Sequence, residues 1–255
     1  MKMPSGETLL VASDVSRRFG GLKAVDGVSL TLTRGSLHAL IGTNGAGKST
    51  LVDLLSGEIP VSSGTVTLLG HDATRWSQPR RSRAGLGRSY QRSTIFPHFT
   101  VFENCRLTAQ SRWPRAWDWW TPTSRCSDSR DASLRAVERA GLHAVLDRRA
   151  GSLSHGQKRQ LEIAMCLSTD PQVLLLDEPL AGMGAEETER MLALLDELKD
   201  GHAVLLIEHD MDAVFRVADR ITVMVDGRVI ASDTPAAVRA SPAVQLAYLG
   251  DEGIA

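Results

Sequence analysis

Cysteine is scarce in this 255-residue chain. Cys105, Cys126 and Cys166 are odd in number, far apart and form no CxxC pair. That argues against a disulfide framework and a zinc site, and it fits a reducing compartment. Net charge is also lacking: 29 basic against 30 acidic residues leave −1. No global field therefore draws the chain to nucleic acid or to an anionic membrane. The opening stretch "MKMPSGETLLVASDVSRRFG" has no apolar core of the length a secretory leader needs. No run approaches the ~18 apolar residues of a membrane-spanning helix. The expectation is a soluble intracellular protein, long enough to bury a real core.

What the chain does have is rhythm. Residues 9–40 alternate apolar and polar between the turn signals "DVSRRFGG" and "TRGS", which predicts short, mostly antiparallel strands. "LHALIG" reads as a short apolar strand entering a glycine loop, and "KSTLVDLLSG" as a helix stopped by Gly57. "GTVTLLG" reads as a further strand. In the second half, "VLLLD", "AVLLIE" and "ITVMVDG" alternate with the helical stretches "AEETERMLALLDELKD" and "MDAVFRVAD". Short apolar strands separated by helices predict a parallel sheet covered on both faces. Between residues 92 and 152 the pattern weakens and then recovers as the helix "DASLRAVERAGL", so this stretch is expected to be a mainly helical insert. The arginines Arg80, Arg81, Arg83, Arg88 and Arg92 are read as a solvated surface.

Three motifs carry chemistry. "GTNGAGKST" fits G-x-x-x-x-G-K-[ST] through Gly42, Gly47, Lys48 and Ser49, between a predicted strand and a predicted helix. Backbone N–H groups of Asn44, Gly45, Ala46 and Gly47, with Thr50 following, can curl around phosphate oxygens at a helix N-terminus. Lys48 would neutralise the terminal phosphates, and Ser49 would offer its hydroxyl to Mg²⁺. "VLLLDEP" places Asp177 and Glu178 at the end of a fully apolar strand, where ligands of open α/β sheets bind. Asp177 would serve the Mg²⁺, and Glu178 would polarise an attacking water. His209 ends the next apolar run. In "LSHGQ", Ser154 and Gln157 form a capping box that patterning alone cannot distinguish from an anion grip.

Phosphate loop, "LSHGQ", "LLLDEP" and "EHD", in that order and over nearly the whole chain, resemble the ATP-binding subunit of ABC transporters. The resemblance implies an α/β fold of the P-loop NTPase class. It would be one ABC domain over residues 1–255, with an antiparallel β subdomain, a RecA-like parallel-sheet core and a helical subdomain inserted at 92–152. It implies ATP and Mg²⁺ as cofactors. Phe19 would stack on adenine with Val25 beside it, and Gln91 would sense the metal. Ser154, Gly156 and Gln157 would close on the γ-phosphate held by the second subunit's loop. Two half-sites in one chain then mean two ATP sites shared by two chains.

Three positions depart from the family pattern: Thr43, His155, and Gly184, where an aspartate is common. "SGEIPVSSGTVTLLG", "PLAGMGAEET" and the terminal "YLGDEG" resemble the branch importing branched-chain amino acids, with urea or amide importers closely related. That branch implies two separate permease subunits, a second and commonly different ATP-binding subunit (a homodimer being the alternative), and a secreted solute-binding protein. It places the chain on the cytoplasmic face of the inner membrane. A non-transport ABC ATPase acting on nucleic acid and a P-loop kinase are the competing classes. Trp113, Trp117 and Trp120 fall on one helical face, readable as internal packing or as a docking surface for the membrane partner.

Overall fold

The computed structural model describes residues 6–91, 94–112 and 127–249. Two strands, β1 (Thr8–Phe19) and β2 (Leu22–Thr33), form an antiparallel hairpin of 12 residues each. They are longer than the alternation suggests, because register shifts along the pair let the ribbon bend without ending. β3 (Ser36–Gly42) crosses into a second sheet and is followed by α1 (Lys48–Ser56), closed by Gly57 in the left-handed region. β4 (Ser63–Leu68) and β5 (His71–Asp72) complete a four-stranded sheet of order β2-β1-β4-β5. Next come α2 (Gln78–Ala84), β6 (Leu86–Arg88), α3 (Val101–Arg112), α4 (Ser127–Arg139) and α5 (His155–Leu167). β7 (Val173–Asp177), α6 (Ala185–Lys199), β8 (Ala203–Ile207), α7 (Met211–Val217), β9 (Arg220–Val225) and β10 (Arg228–Asp233) lead to α8 (Pro235–Arg239) and α9 (Pro242–Leu249).

The second sheet has the order β10-β9-β3-β8-β7-β6 and is parallel except for the β9–β10 hairpin. Every residue of β7 and β8 is buried, so both faces need cover. Period-2 alternation assigns the cover. Leu40, Leu175 and Leu205 pack with α1 (Leu51, Leu55) and the antiparallel sheet (Val15, Val66). Leu37, Leu174, Leu176, Val204 and Leu206 pack with Ile163 of α5 and Leu195 of α6. A third cluster joins Val101 and Cys105 of α3, Val137 of α4, and Leu161 and Met165 of α5.

Two of the arginines expected on a solvated surface are interior. Arg81 is 1% exposed, and its guanidinium donates to the carbonyls of Leu54, Leu55, Ala73 and Thr74. Arg88 donates to Asp53, Ser56 and Glu58 and lies over the Tyr90 ring. The last turn of a helix leaves carbonyls without intrahelical donors; Arg81 supplies donors to those of Leu54 and Leu55, while Arg88 binds the side chains of Asp53, Ser56 and Glu58 beside them. Arg92 and the tryptophans 113, 117, 119 and 120 lie outside the described residues. Among the described residues, no helix is long and apolar enough to cross a membrane.

Candidate functional site

The loop between β3 and α1 is built around backbone that tolerates no side chain. Gly47, the residue before α1, has φ +95, and a Cβ there would lie 2.2 Å from the Ala24 carbonyl oxygen. Only glycine brings the loop this close to β2 while starting the helix. The Lys48 ammonium donates to the carbonyls of Gly42 (2.6 Å) and Thr43 (3.0 Å), curling back over the loop. Burial lowers its pKa, and the carboxylates of Glu178 and Asp177 oppose that shift.

A cavity of about 690 Å³ opens over the loop. Asn44, Gly45, Ala46, Gly47, Lys48, Ser49 and Thr50 form its floor, Phe19, Leu22 and Ala24 one wall, and Gln91 and Glu178 another. Phe19 is half-exposed, with the Arg17 guanidinium 4.7 Å from its ring centre. Val25 departs from expectation. It is fully buried in the core, and the neighbouring Leu22, Lys23 and Ala24 line the cavity instead. Around this wall, Asp26 accepts from Lys23 and from two nitrogens of Arg228, while Gly227 N–H donates to the Ala46 carbonyl. The hairpin, the loop and the β9–β10 turn are thereby tied together. The Arg228 and Lys23 bonds hold the Asp26 carboxyl below the usual range.

The strand ends supply the acidic groups. Asp177 closes β7, nearly buried, with its N–H donated to the Ser89 hydroxyl. Desolvation raises its carboxyl above the ordinary value, with Arg88 opposing. Glu178, just past the end of β7, sits at φ +49, in the left-handed region that non-glycine residues seldom adopt. Gln91 donates to one Glu178 oxygen at 3.0 Å, and His209 Nδ1 stands 4.0 Å from the other. Ser49, Asp177 and Gln91 offer oxygen donors only, the chemistry a hard divalent cation selects. A partly desolvated carboxylate beside the loop is a charge that such a cation would compensate.

Ser154, Gly156 and Gln157 do not join this cavity. They line a separate small one with Gln160, Glu187, Arg190 and Met191. The capping box is formed in full: Gln157 N–H donates to the Ser154 hydroxyl, and Ser154 N–H to the Gln157 amide oxygen. Two further glutamates escaped the sequence reading. Glu208 is buried, raised by desolvation, and accepts from Leu180 N–H at 2.8 Å, which anchors the loop after Glu178 to β8. A carboxylate ending the apolar run "AVLLIE" was the available signal. Glu187, on the first turn of α6, accepts from Ser154 and Gly156, and nothing local announces it.

Residues 25–181 match the model of the family described as ABC transporter, and residues 228–254 that of the branched-chain amino acid ATP-binding cassette transporter. The chain is 38% identical to the high-affinity branched-chain amino acid transport ATP-binding protein LivG of Salmonella typhimurium, over 96% of this chain and 99% of that protein. It is 38% identical to BraF, of the same description, from Pseudomonas aeruginosa, over 95% and 98%. Among solved structures, the ADP conformation of an ATP-binding cassette of an ABC transporter superposes with TM-score 0.83 at 29% identity, covering 95% of this chain and 99% of that one. The nucleotide loop, the acidic strand ends and the covered parallel sheet thus occur in a chain that belongs to the ATP-binding subunits of ABC transporters.

Proposed function

We propose that this chain drives an importer of branched-chain amino acids, as one of two ATP-binding subunits under a pair of separate membrane-spanning permeases. The cargo reading is supported by the names of the relatives and by the family match at residues 228–254. The mechanism is supported by one observation: the loop of residues 44–50 and the turn of Ser154, Gly156 and Gln157 line two separate cavities of the same chain. A nucleotide on the loop of one chain is therefore closed by Ser154 and Gly156 of a second, head to tail. The second chain is a different ATP-binding subunit in our reading. A secreted binding protein delivers the cargo, the work is done at the cytoplasmic face of the inner membrane, and no nucleic acid takes part.

In this scheme residues 42–50 cradle the phosphates, Lys48 matches their charge, and Phe19 stacks on the base. Bound Mg²⁺, held by Ser49, Asp177 and Gln91, would neutralise phosphate charge. Glu178, fixed by Gln91, orients and polarises water, and His209 stands beside it for the γ-phosphate. Residues 92–152 act as the inserted helical subdomain within a single domain of 1–255. A groove of about 370 Å³ between Tyr90, Phe96, Thr108 and Cys166 is where the permease would engage it.

Uptake of labelled leucine into vesicles carrying the assembled transporter tests the reading. Uptake should need internal ATP and stop with Glu178→Gln. Urea uptake in place of leucine would overturn the cargo, and ATP-independent uptake the motor.

A further inference from the structure

The grip at the start of α5 already holds an anion. The first N–H groups of a helix have no intrahelical acceptor and carry positive potential. Here one oxygen of the Glu187 carboxylate accepts from the Ser154 hydroxyl at 3.0 Å and from Gly156 N–H at 3.2 Å. The approach depends on the glycine, since a Cβ at position 156 would lie 2.6 Å from the Glu187 carboxyl carbon. The Ser154 bond, with lesser help from Gly156, Gly184 and His155, keeps this carboxyl below the usual glutamate range against its desolvation. Arg190, on the same helix and in the same cavity, is engaged with Glu186. His155 meanwhile contacts the Ala181 carbonyl at 2.9 Å, so the turn also holds the loop that follows Glu178.

We propose that Glu187 is a built-in stand-in for phosphate, occupying the grip in the single chain and leaving it only when a second chain presents nucleotide. This rests on the reading of Ser154 and Gly156 as the trans grip. A monovalent carboxylate on a flexible stem is a weak occupant. It protects the donors from stray anions yet yields to a polyanion that takes the same hydroxyl and amide. Closure of two chains then requires nucleotide to displace an internal competitor, and Glu187 sets the ATP concentration at which that happens.

The test is ATP-dependent dimerisation of the full chain, with itself or with its partner ATP-binding subunit, in a Glu178→Gln background, followed by light scattering. Glu187→Ala and the size-preserving Glu187→Gln should each lower the ATP midpoint, by roughly three- to tenfold in the alanine variant, as expected for loss of one or two competing hydrogen bonds. An unchanged or raised midpoint in both variants overturns the inference. Ser154→Ala separates the two claims. If it blocks dimerisation while both Glu187 variants behave as parent, only the stand-in fails. If it dimerises as parent does, or if no ATP-dependent dimer forms at all, the shared-site reading fails with it.

Discussion

Replacing Arg81 with methionine should destabilise the chain without touching the nucleotide loop directly. The side chain is 1% exposed, and its two terminal nitrogens reach the carbonyls of Leu54 and Leu55 at 2.7 Å, Ala73 at 2.8 Å and Thr74 at 3.3 Å. Hydrogen bonds from a charged donor contribute ~1.5–3 kcal/mol each. Methionine fills most of the volume but leaves the acceptors buried. Against this gain stands the desolvation of the guanidinium, which burial pushes down to about 10. The net loss should be ~3–4 kcal/mol, smaller than the sum of the bonds because the cost of burying the charge is removed too. For a domain of this size that lowers the melting temperature by about 10 °C. Differential scanning calorimetry without nucleotide reads it, and Arg81→Lys, unable to fork between two segments, should recover only part. A methionine variant melting within about 2 °C of parent would refute the reasoning.

Glu178→Gln should keep ATP binding and lose turnover by ~10²-fold or more, as for loss of a positioned base; equal turnover would remove Glu178 from the chemistry. Lys48→Ala should weaken nucleotide binding itself, read by titration calorimetry. Stability should also depend on pH through His38, which is buried against the Thr222 hydroxyl at 2.7 Å and whose imidazole burial pushes from 6.5 to about 4. The unfolded chain then binds a proton that the folded one refuses, so stability is full above 6.5 and falls as pH drops towards 4. The loss is ~3 kcal/mol. His202, also lowered by burial, adds in the same direction. Denaturant titrations at stepped pH should show a flatter profile in His38→Asn.

The loop, its strand and its helix were legible because their signals are local: an apolar run, a glycine turn and a helix stop within residues 37–57. β7 and β8 were legible as runs too apolar to face water. What escaped is set by tertiary partners. That Ala24 lines the cavity while Val25 is buried in the core is set by how β2 packs against the rest of the chain, which composition does not show. Arg81 and Arg88 look like surface charge until the end of α1 arrives to need them. Glu187 meets Ser154 across 33 positions, a pairing that exists only once α5 and α6 are packed.

The most direct test of the shared site is ATPase rate per subunit against protein concentration, on the purified chain with its partner ATP-binding subunit present or absent. The shared-site account predicts a per-subunit rate that rises with concentration, vanishes on dilution and is lost with Ser154→Ala. A rate that stays constant at every dilution, and survives that substitution, would contradict it.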